Sequence, residues 1–335
     1  MAKIEFRQVS KKFPVKGKFF GKRYLHAVKE VSFSVEEGHT LAIVGESGCG
    51  KTTIARLLMK LHEPTSGQIL IDNEDIGAQR SRRATWKYRE KIQMIFQDPF
   101  ASLNPAYSIG AILSRAVSLH NKKMSAKQVK EQMISLLESV GLTPPEDFIP
   151  KHPAMLSGGQ RQRIVIARAL AVNPSIIVAD EPTSMLDVSI GIDIMNLLLD
   201  LKEKQGLTML YITHNFPSAR YMADEMAVVY GGTCVEYGKV DDVIDMPCHP
   251  YTVLLLNSTP EPFREERFEI HASEEGADLI SNKPQCMFCN RCPMVQERCF
   301  NTEPPEFVFG DRRIKCYLYE DMDALKPVVD ISIYA

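Results

Sequence analysis

This sequence predicts an α/β fold: a parallel-sheet core, an antiparallel β layer, a helical insert and a small cysteine-rich C-terminal domain. Three observations carry that reading. An apolar run, Thr40-Leu41-Ala42-Ile43-Val44, enters the glycine-rich loop GESGCGKT (Gly45 to Thr52), and a helical run from Thr53 to Lys60 leaves it. Strand character at Ser175 to Ala179 and again at Thr208 to Thr213 is bridged by a Leu- and Ile-rich helix near 190–205. Such a βαβ crossover implies parallel strands. From about residue 246 the texture changes: Pro and Cys rise and periodicity fades, which places a small appended domain at 246–335.

The early strands are expected at Lys3 to Val9 and Val28 to Val35, where alternating apolar residues suit a half-buried antiparallel pair. A basic, aromatic loop from Lys16 to Tyr24 lies between them. Phe13 closes the first strand, where an aromatic ring either joins the core or stacks on an adenine. After the glycine-rich loop, Ser66 to Ile71 reads as turn then strand. Lys91 to Phe96 reads as a strand ending in Gln97-Asp98-Pro99. The stretch 105–172 reads as a helical insert. Within it Ser125 to Gln128 form a capping box, opening a helix with Val129, Met133, Leu136, Leu137 and Val140 on one face. Ala227 to Glu236, turning at Gly231-Gly232, reads as a β-hairpin.

Composition bounds the partners. The chain has 335 residues, room for one large domain or two to three lobes. With 40 basic and 42 acidic residues the net charge is -2, which gives no nucleic-acid footprint. The cluster Arg80, Arg82, Arg83, Lys87, Arg89, Lys91 is expected to be a solvated face rather than a polyanion site. No apolar run approaches the ~20 residues of a membrane span, and the start MAKIEFRQVS is not a signal peptide. A cytosolic protein is expected. Of eight cysteines, Cys49, Cys234 and Cys248 are scattered, while Cys286, Cys289, Cys292, Cys299 and Cys316 crowd the end. In a reducing compartment that clustering points to a metal or cofactor before disulfides.

The glycine-rich loop is a phosphate cradle. Gly45, Gly48 and Gly50 permit backbone angles that turn successive N–H groups toward one anion, and the helix beginning near Thr53 adds its dipole. Glu46, Ser47 and Cys49 fill the other loop positions. Lys51 reaches the β- and γ-phosphates, and the Thr52 hydroxyl ligates Mg²⁺. Ile176 to Ala179 is a buried strand that delivers Asp180, suited to hold Mg²⁺ through water, and Glu181, suited to polarise an attacking water. Leu156-Ser157-Gly158-Gly159-Gln160 precedes a helix from Arg161 to Ala171: Ser157 caps it and the glycines let an anion approach free amides. No lysine or metal ligand accompanies this second site, so it is read as completing another chain's nucleotide site.

These motifs, with Gln97, Thr183-Ser184-Met185-Leu186-Asp187 and His214, resemble the nucleotide-binding subunits of ATP-binding-cassette (ABC) transporters, P-loop NTPases, over residues 1–245. The resemblance implies that two cassettes pair head to tail with ATP between the cradle of one and the Leu156–Gln160 signature of the other. It implies Phe13 on the adenine, Lys51 and Thr52 on phosphate and Mg²⁺, and Gln97 sensing metal and membrane partner. It also implies Glu181 as catalytic carboxylate, His214 on the γ-phosphate, and Ser184 and Asp187 linking the two sites. Asn215, where the family has Asp, is expected to weaken positioning of that loop; Met185 replaces the usual Ala.

Asp98 to Pro105, His249-Pro250-Tyr251-Thr252 and the cysteines resemble the ATPase subunits of dipeptide and oligopeptide importers, the F-type more than the D-type. That resemblance implies a second, sister ATPase subunit, two transmembrane permease subunits, an extracellular substrate-binding protein, no nucleic acid, and a peripheral place on the cytoplasmic face of the membrane. It also implies a [4Fe–4S] cluster on Cys286, Cys292, Cys299 and Cys316. Cys289 is the competing fifth thiol and Zn²⁺ the competing metal, since Cys₄ sites suit both. Nickel or an oligosaccharide is the alternative cargo, and a soluble, non-transport ABC ATPase the alternative function.

Overall fold

The computed structural model describes residues 2–15, 23–78, 81–120, 123–258 and 283–328. In chain order the elements begin with β1 (Ala2–Val15), β2 (Arg23–Glu36), β3 (Thr40–Val44), α1 (Lys51–Leu58), β4 (Ser66–Ile71), β5 (Glu74–Asp75), α2 (Arg82–Lys91) and β6 (Ile92–Ile95). The helical stretch follows: α3 (Pro99–Ser102), α4 (Ile109–His120), α5 (Ala126–Ser139) and α6 (Gly158–Leu170). Then come β7 (Ile176–Asp180), α7 (Val188–Gln205), β8 (Thr208–Thr213), α8 (Phe216–Met222), β9 (Glu225–Tyr230) and β10 (Thr233–Lys239). The chain closes with α9 (Val240–Asp245), α10 (Pro250–Ser258), β11 (Phe307–Phe309) and β12 (Arg312–Ile314). Among the described residues no helix is long and apolar enough to cross a membrane.

The chain forms two compact units, 1–78 with 211–335, and 79–210. In the first, β2-β1-β4-β5 make an antiparallel sheet. Its inward alternation stacks Phe6 on Phe33 with ring centroids 4.4 Å apart. A second sheet in this unit pairs β3 parallel to β9, Leu41 opposite Glu225 through Val44 opposite Val228. It continues antiparallel from β9 to β10, β12 and β11. Every residue of β3 is buried, as an interior parallel strand requires. The core on one face joins Ala42, Val44, Phe216, Val228, Tyr251 and Phe288.

The first two strands are longer than their apolar alternation indicates. Pairing runs on to Phe13 opposite Leu25 and Val15 opposite Arg23, so the ends of the expected loop Lys16–Tyr24, Arg23 and Tyr24, are strand; Lys16–Lys22 lie outside the described residues. The C-terminal stretch is built onto the sheet of the first unit, since β12 pairs with β10, Glu236 opposite Ile314.

In the second unit β6 and β7 run parallel, Ile92 opposite Ile176 through Ile95 opposite Ala179. Helices α4, α5 and α6 pack on one another, burying Leu113, Val117, Leu137 and Ile164 completely. The capping box at Ser125 forms as the sequence predicts. Met133, Leu136, Leu137 and Val140 are buried, with Val129 half-buried. The basic cluster sits on α2, a helix that the apolar pattern does not indicate. Arg82, Arg83, Lys87, Arg89 and Lys91 are exposed there, and Arg80 lies outside the described residues.

Candidate functional site

In the first unit, β3 delivers the loop 45–50 and α1 begins at Lys51 behind an N-cap at Gly50. Gly50 has φ 112°, and a Cβ there would stand 2.4 Å from the Ala27 carbonyl oxygen. A Cβ on Gly45 would stand 2.2 Å from the Val229 carbonyl oxygen. Both positions therefore require glycine on steric grounds, and Gly50 for its torsion as well. No side chain caps α1 and no acidic residue occupies its first turn, so its leading N–H groups and dipole are free to serve an anion. Lys51, 5% exposed, lies back across the loop and donates from Nζ to the carbonyls of Gly45 (2.6 Å) and Glu46 (2.8 Å). Ser47 and Thr52 are exposed, and Thr53 is half-buried. Burial raises the Cys49 thiol above its ordinary range. This donor set, convergent amides beside a buried ammonium, suits a polyphosphate.

The loop is held from behind by side chains that motif reading misses. The Glu46 N–H donates to Tyr251 Oη at 2.9 Å. Tyr251 opens α10, and the His249–Thr252 stretch is pinned by Glu236 on β10. That carboxylate is fully buried and accepts from the Cys248 and His249 N–H groups, both at 2.9 Å, and from Thr252 Oγ1 at 2.6 Å. Arg312 on β12 pairs with it as well. Burial raises the Glu236 pKa against these partners. Burial also lowers His249 to about 3, so the ring is neutral and its Nδ1 accepts from the Tyr251 N–H at 3.1 Å. The signal in sequence is a lone Glu inside the apolar β10, which is buried from Cys234 to Gly238, so the carboxylate has to find a cation and donors.

Phe13 lies half-buried on β1, edge-on to His62 at 5.1 Å between centroids and with Lys11 Nζ 5.1 Å from its ring. His214 is exposed at the end of β8. Asn215 caps α8: its Oδ1 accepts from the Ser218 N–H at 2.8 Å, and its own N–H donates to Thr213 Oγ1 at 3.0 Å. An amide oxygen here serves as N-cap as a carboxylate would.

In the second unit Asp180 ends β7, nearly buried. Glu181 follows in the left-handed region, φ 46°, a conformation that costs a non-glycine residue about 1–3 kcal/mol. It accepts from Gln97 Nε2 at 2.8 Å, so the two residues read as catalytic and metal-sensing meet. The strained turn is fastened around it. Ser184 donates to the Glu181 carbonyl from N at 3.2 Å and from Oγ at 3.1 Å, and buried Gln162 donates to the Pro182 carbonyl at 2.8 Å. Asp98 caps α3 through the N–H groups of Phe100 (2.7 Å) and Ala101 (3.1 Å).

The signature folds as a capped helix start. Ser157 Oγ accepts from the Gln160 N–H at 3.3 Å and Gln160 Oε1 from the Ser157 N–H at 3.1 Å. A Cβ on Gly159 would meet Ile190 Cγ2 at 2.6 Å. Leu156 is buried, Gly158 half-buried and Ser157 exposed. Ser184 and Asp187 are exposed, and Asp187 begins α7.

With this geometry in view, the comparisons decide the family. The family model described as ABC transporter matches residues 28–184, and that described as oligopeptide/dipeptide transporter, C-terminal region, matches 235–299. The dipeptide transport ATP-binding protein DppF of Haemophilus influenzae is 41% identical over 300 residues, 88% of this chain and 90% of its own length. The chain belongs to the ABC transporter family. The oligopeptide transport ATP-binding protein AppF of Bacillus subtilis is 40% identical over 323 residues, 94% of this chain and 97% of that protein. Among solved structures, a dimeric post-hydrolysis state of the ATP-binding cassette MJ0796 bound to ADP and Pi matches with TM-score 0.62 and 32% identity, over 71% of this chain and 98% of that one. The fold is thus the P-loop ABC cassette.

The cysteines of this ABC protein are free thiols. Cys286, Cys292, Cys299 and Cys316 are partly buried and Cys289 is buried. The Cys286 N–H donates to the Cys299 carbonyl at 2.8 Å. Among the described residues, no group of three or more His, Cys, Asp or Glu stands ready to hold a metal ion. Burial raises Cys286 to about 12 and Cys292 to about 11. Beyond burial, Cys292 and Cys299 push up both Cys286 and Cys316, so these thiols stand within electrostatic reach of one another.

Proposed function

We propose that this chain is the ATP-hydrolysing motor subunit of an importer that takes up dipeptides or oligopeptides. It works with a second, sister ATPase subunit, two transmembrane permease subunits and an extracellular substrate-binding protein, and lies peripherally on the cytoplasmic face of the membrane. The observation that carries the reading is that one chain joins a complete phosphate cradle to a C-terminal stretch matching the oligopeptide/dipeptide transporter region. The DppF and AppF relatives, named for peptide transport, support the cargo class and the F-type assignment. Residues 1–245 form the ATPase domain, with the insert at about 105–172, and 246–335 form the transporter-type appendage.

In this reading Phe13 stacks on adenine, and the 45–53 amides with Lys51 bind the phosphates. Thr52, Gln97 and Asp180 are the residues that would hold Mg²⁺, which would neutralise phosphate charge. Glu181 takes the proton of the attacking water. The water oxygen bonds to the γ-phosphorus, the bond to the β,γ-bridging oxygen breaks, and ADP and phosphate leave. His214 donates to the γ-phosphate. Leu156 to Gln160 complete the partner's ATP site, and Ser184 and Asp187 connect the two sites. The meeting of Gln97 with Glu181 supports these roles, since it holds the carboxylate in one orientation.

The thiol chemistry of Cys286, Cys292, Cys299 and Cys316, with Cys289 as alternative, supports a [4Fe–4S] cluster or, in its place, Zn²⁺; such binding would require these side chains to re-form around the metal. No step of ATP hydrolysis runs through it. Iron, sulfide and zinc analysis of anaerobically purified chain tests it, and metal-free protein would dismiss it.

The function is tested by tagging this chain, solubilising membranes and assaying what co-purifies. Two polytopic membrane proteins and a second cassette, with ATP turnover stimulated by a peptide-loaded binding protein, are expected. A chain recovered in the soluble fraction with nucleic acid or ribosomes would overturn the transport reading.

A further inference from the structure

The phosphate loop carries an acidic side chain at Glu46, beside the place where a highly charged anion is to bind. Left uncompensated, that carboxylate would repel the ligand. The structure compensates it from far along the chain. Arg291 grips Glu46 through two parallel hydrogen bonds, Nη1 to Oε2 at 2.7 Å and Nη2 to Oε1 at 2.9 Å. The arginine side chain is 15% exposed and the glutamate 38%, so the pair is only partly screened by water and its planar fork fixes the carboxylate's direction.

Arg291 is itself anchored. It stands in the cysteine stretch between Cys289 and Cys292, and its N–H donates to the Phe288 carbonyl at 3.0 Å. Phe288 is 1% exposed and packs against Tyr230 (5.1 Å), Tyr251 (5.4 Å) and His249 (5.8 Å). The guanidinium lies 5.6 Å from the Tyr230 ring centre. Tyr251 holds the Glu46 amide while Lys51 holds the Glu46 carbonyl. Glu46 is therefore fixed at amide, carbonyl and carboxylate, and two of the three fixings come from beyond residue 246.

We propose that Arg291 is a positioning residue for ATP binding: the cysteine stretch supplies the counter-charge that turns the Glu46 carboxylate away from the phosphates and keeps the loop receptive to an anion. This rests on the reading of the loop as an ATP site. It gives the C-terminal stretch a role at the nucleotide that needs no metal. Removing the guanidinium leaves a carboxylate facing the anion site, whereas removing both charges does not. Loss of structure would make the second change worse, so the two explanations separate.

The test measures the affinity of the full chain for a fluorescent non-hydrolysable ATP analogue with magnesium. Arg291→Gln is expected to weaken binding about tenfold, more at low salt than at high salt. Arg291→Lys, which keeps the charge but not the fork, is expected to lie between this and wild type. Adding Glu46→Gln to Arg291→Gln is expected to restore affinity to within about threefold of wild type. Unchanged affinity in Arg291→Gln, or a double variant as weak as the single, overturns the proposal. A wild-type chain that binds no analogue overturns the ATP-site reading, and the proposal with it.

Discussion

Acid should loosen the C-terminal bracing of the phosphate loop through one histidine. His249 is 1% exposed, and burial holds its pKa near 3 against an ordinary 6.5. A group whose folded pKa is depressed gives stability that is present above its unfolded pKa and declines as pH falls toward the folded one. Between pH 7 and pH 5 the unfolded ring gains a proton and the folded ring does not. With those two pKa values the loss is about 2 kcal/mol, roughly 25-fold in an opening equilibrium. Glu236 opposes it, because its own pKa is raised and protonation relieves a buried charge. A comparison with His249→Asn isolates the imidazole, since an amide oxygen can still accept from the Tyr251 N–H and cannot titrate. The assay is hydrogen exchange of the α10 amides at the two pH values, corrected for intrinsic rates. Protection should fall about 25-fold further in wild type than in His249→Asn. Equal pH dependence in the two proteins would refute a buried neutral imidazole.

Gly50→Ala places a Cβ against the Ala27 carbonyl at φ 112°; about 1–3 kcal/mol of strain should weaken ATP binding about 5- to 150-fold in an equilibrium titration. Arg312→Leu leaves the buried Glu236 carboxylate without its cation and should destabilise the first unit by about 3–5 kcal/mol, read as lost protection in β10 and α10. Ser157→Ala removes the cap on α6, worth about 1 kcal/mol. It should leave ATP affinity of the isolated chain intact while lowering turnover of the assembled cassettes, measured by phosphate release.

The motifs legible in sequence are those whose backbone does the chemistry. The loop 45–52 and the signature each combine glycine or a cap with a periodic neighbour, and the strand into Asp180 is a buried apolar run, so local spacing states their conformation. What was not legible depends on distant pairing. The apolar pattern of α2 is weak, with one buried residue, Tyr88, so its helical period does not emerge. The β1–β2 extension rests on cross-strand partners for polar residues such as Lys12, which alternation does not mark. Arg291 and Tyr251 stand roughly two hundred or more positions from Glu46, and no spacing rule links them. Asn215 shows a departure from the family's residue that keeps its cap hydrogen bond.

The central claim is that this ABC cassette hydrolyses ATP with Glu181 as base. Glu181→Gln keeps the size of the side chain and removes its basicity. Single-turnover hydrolysis by the assembled cassettes, with ATP binding measured in parallel, tests it most directly. Hydrolysis should fall about 10²–10⁴-fold while ATP remains bound and the cassettes stay paired. Hydrolysis at the wild-type rate would contradict the mechanism.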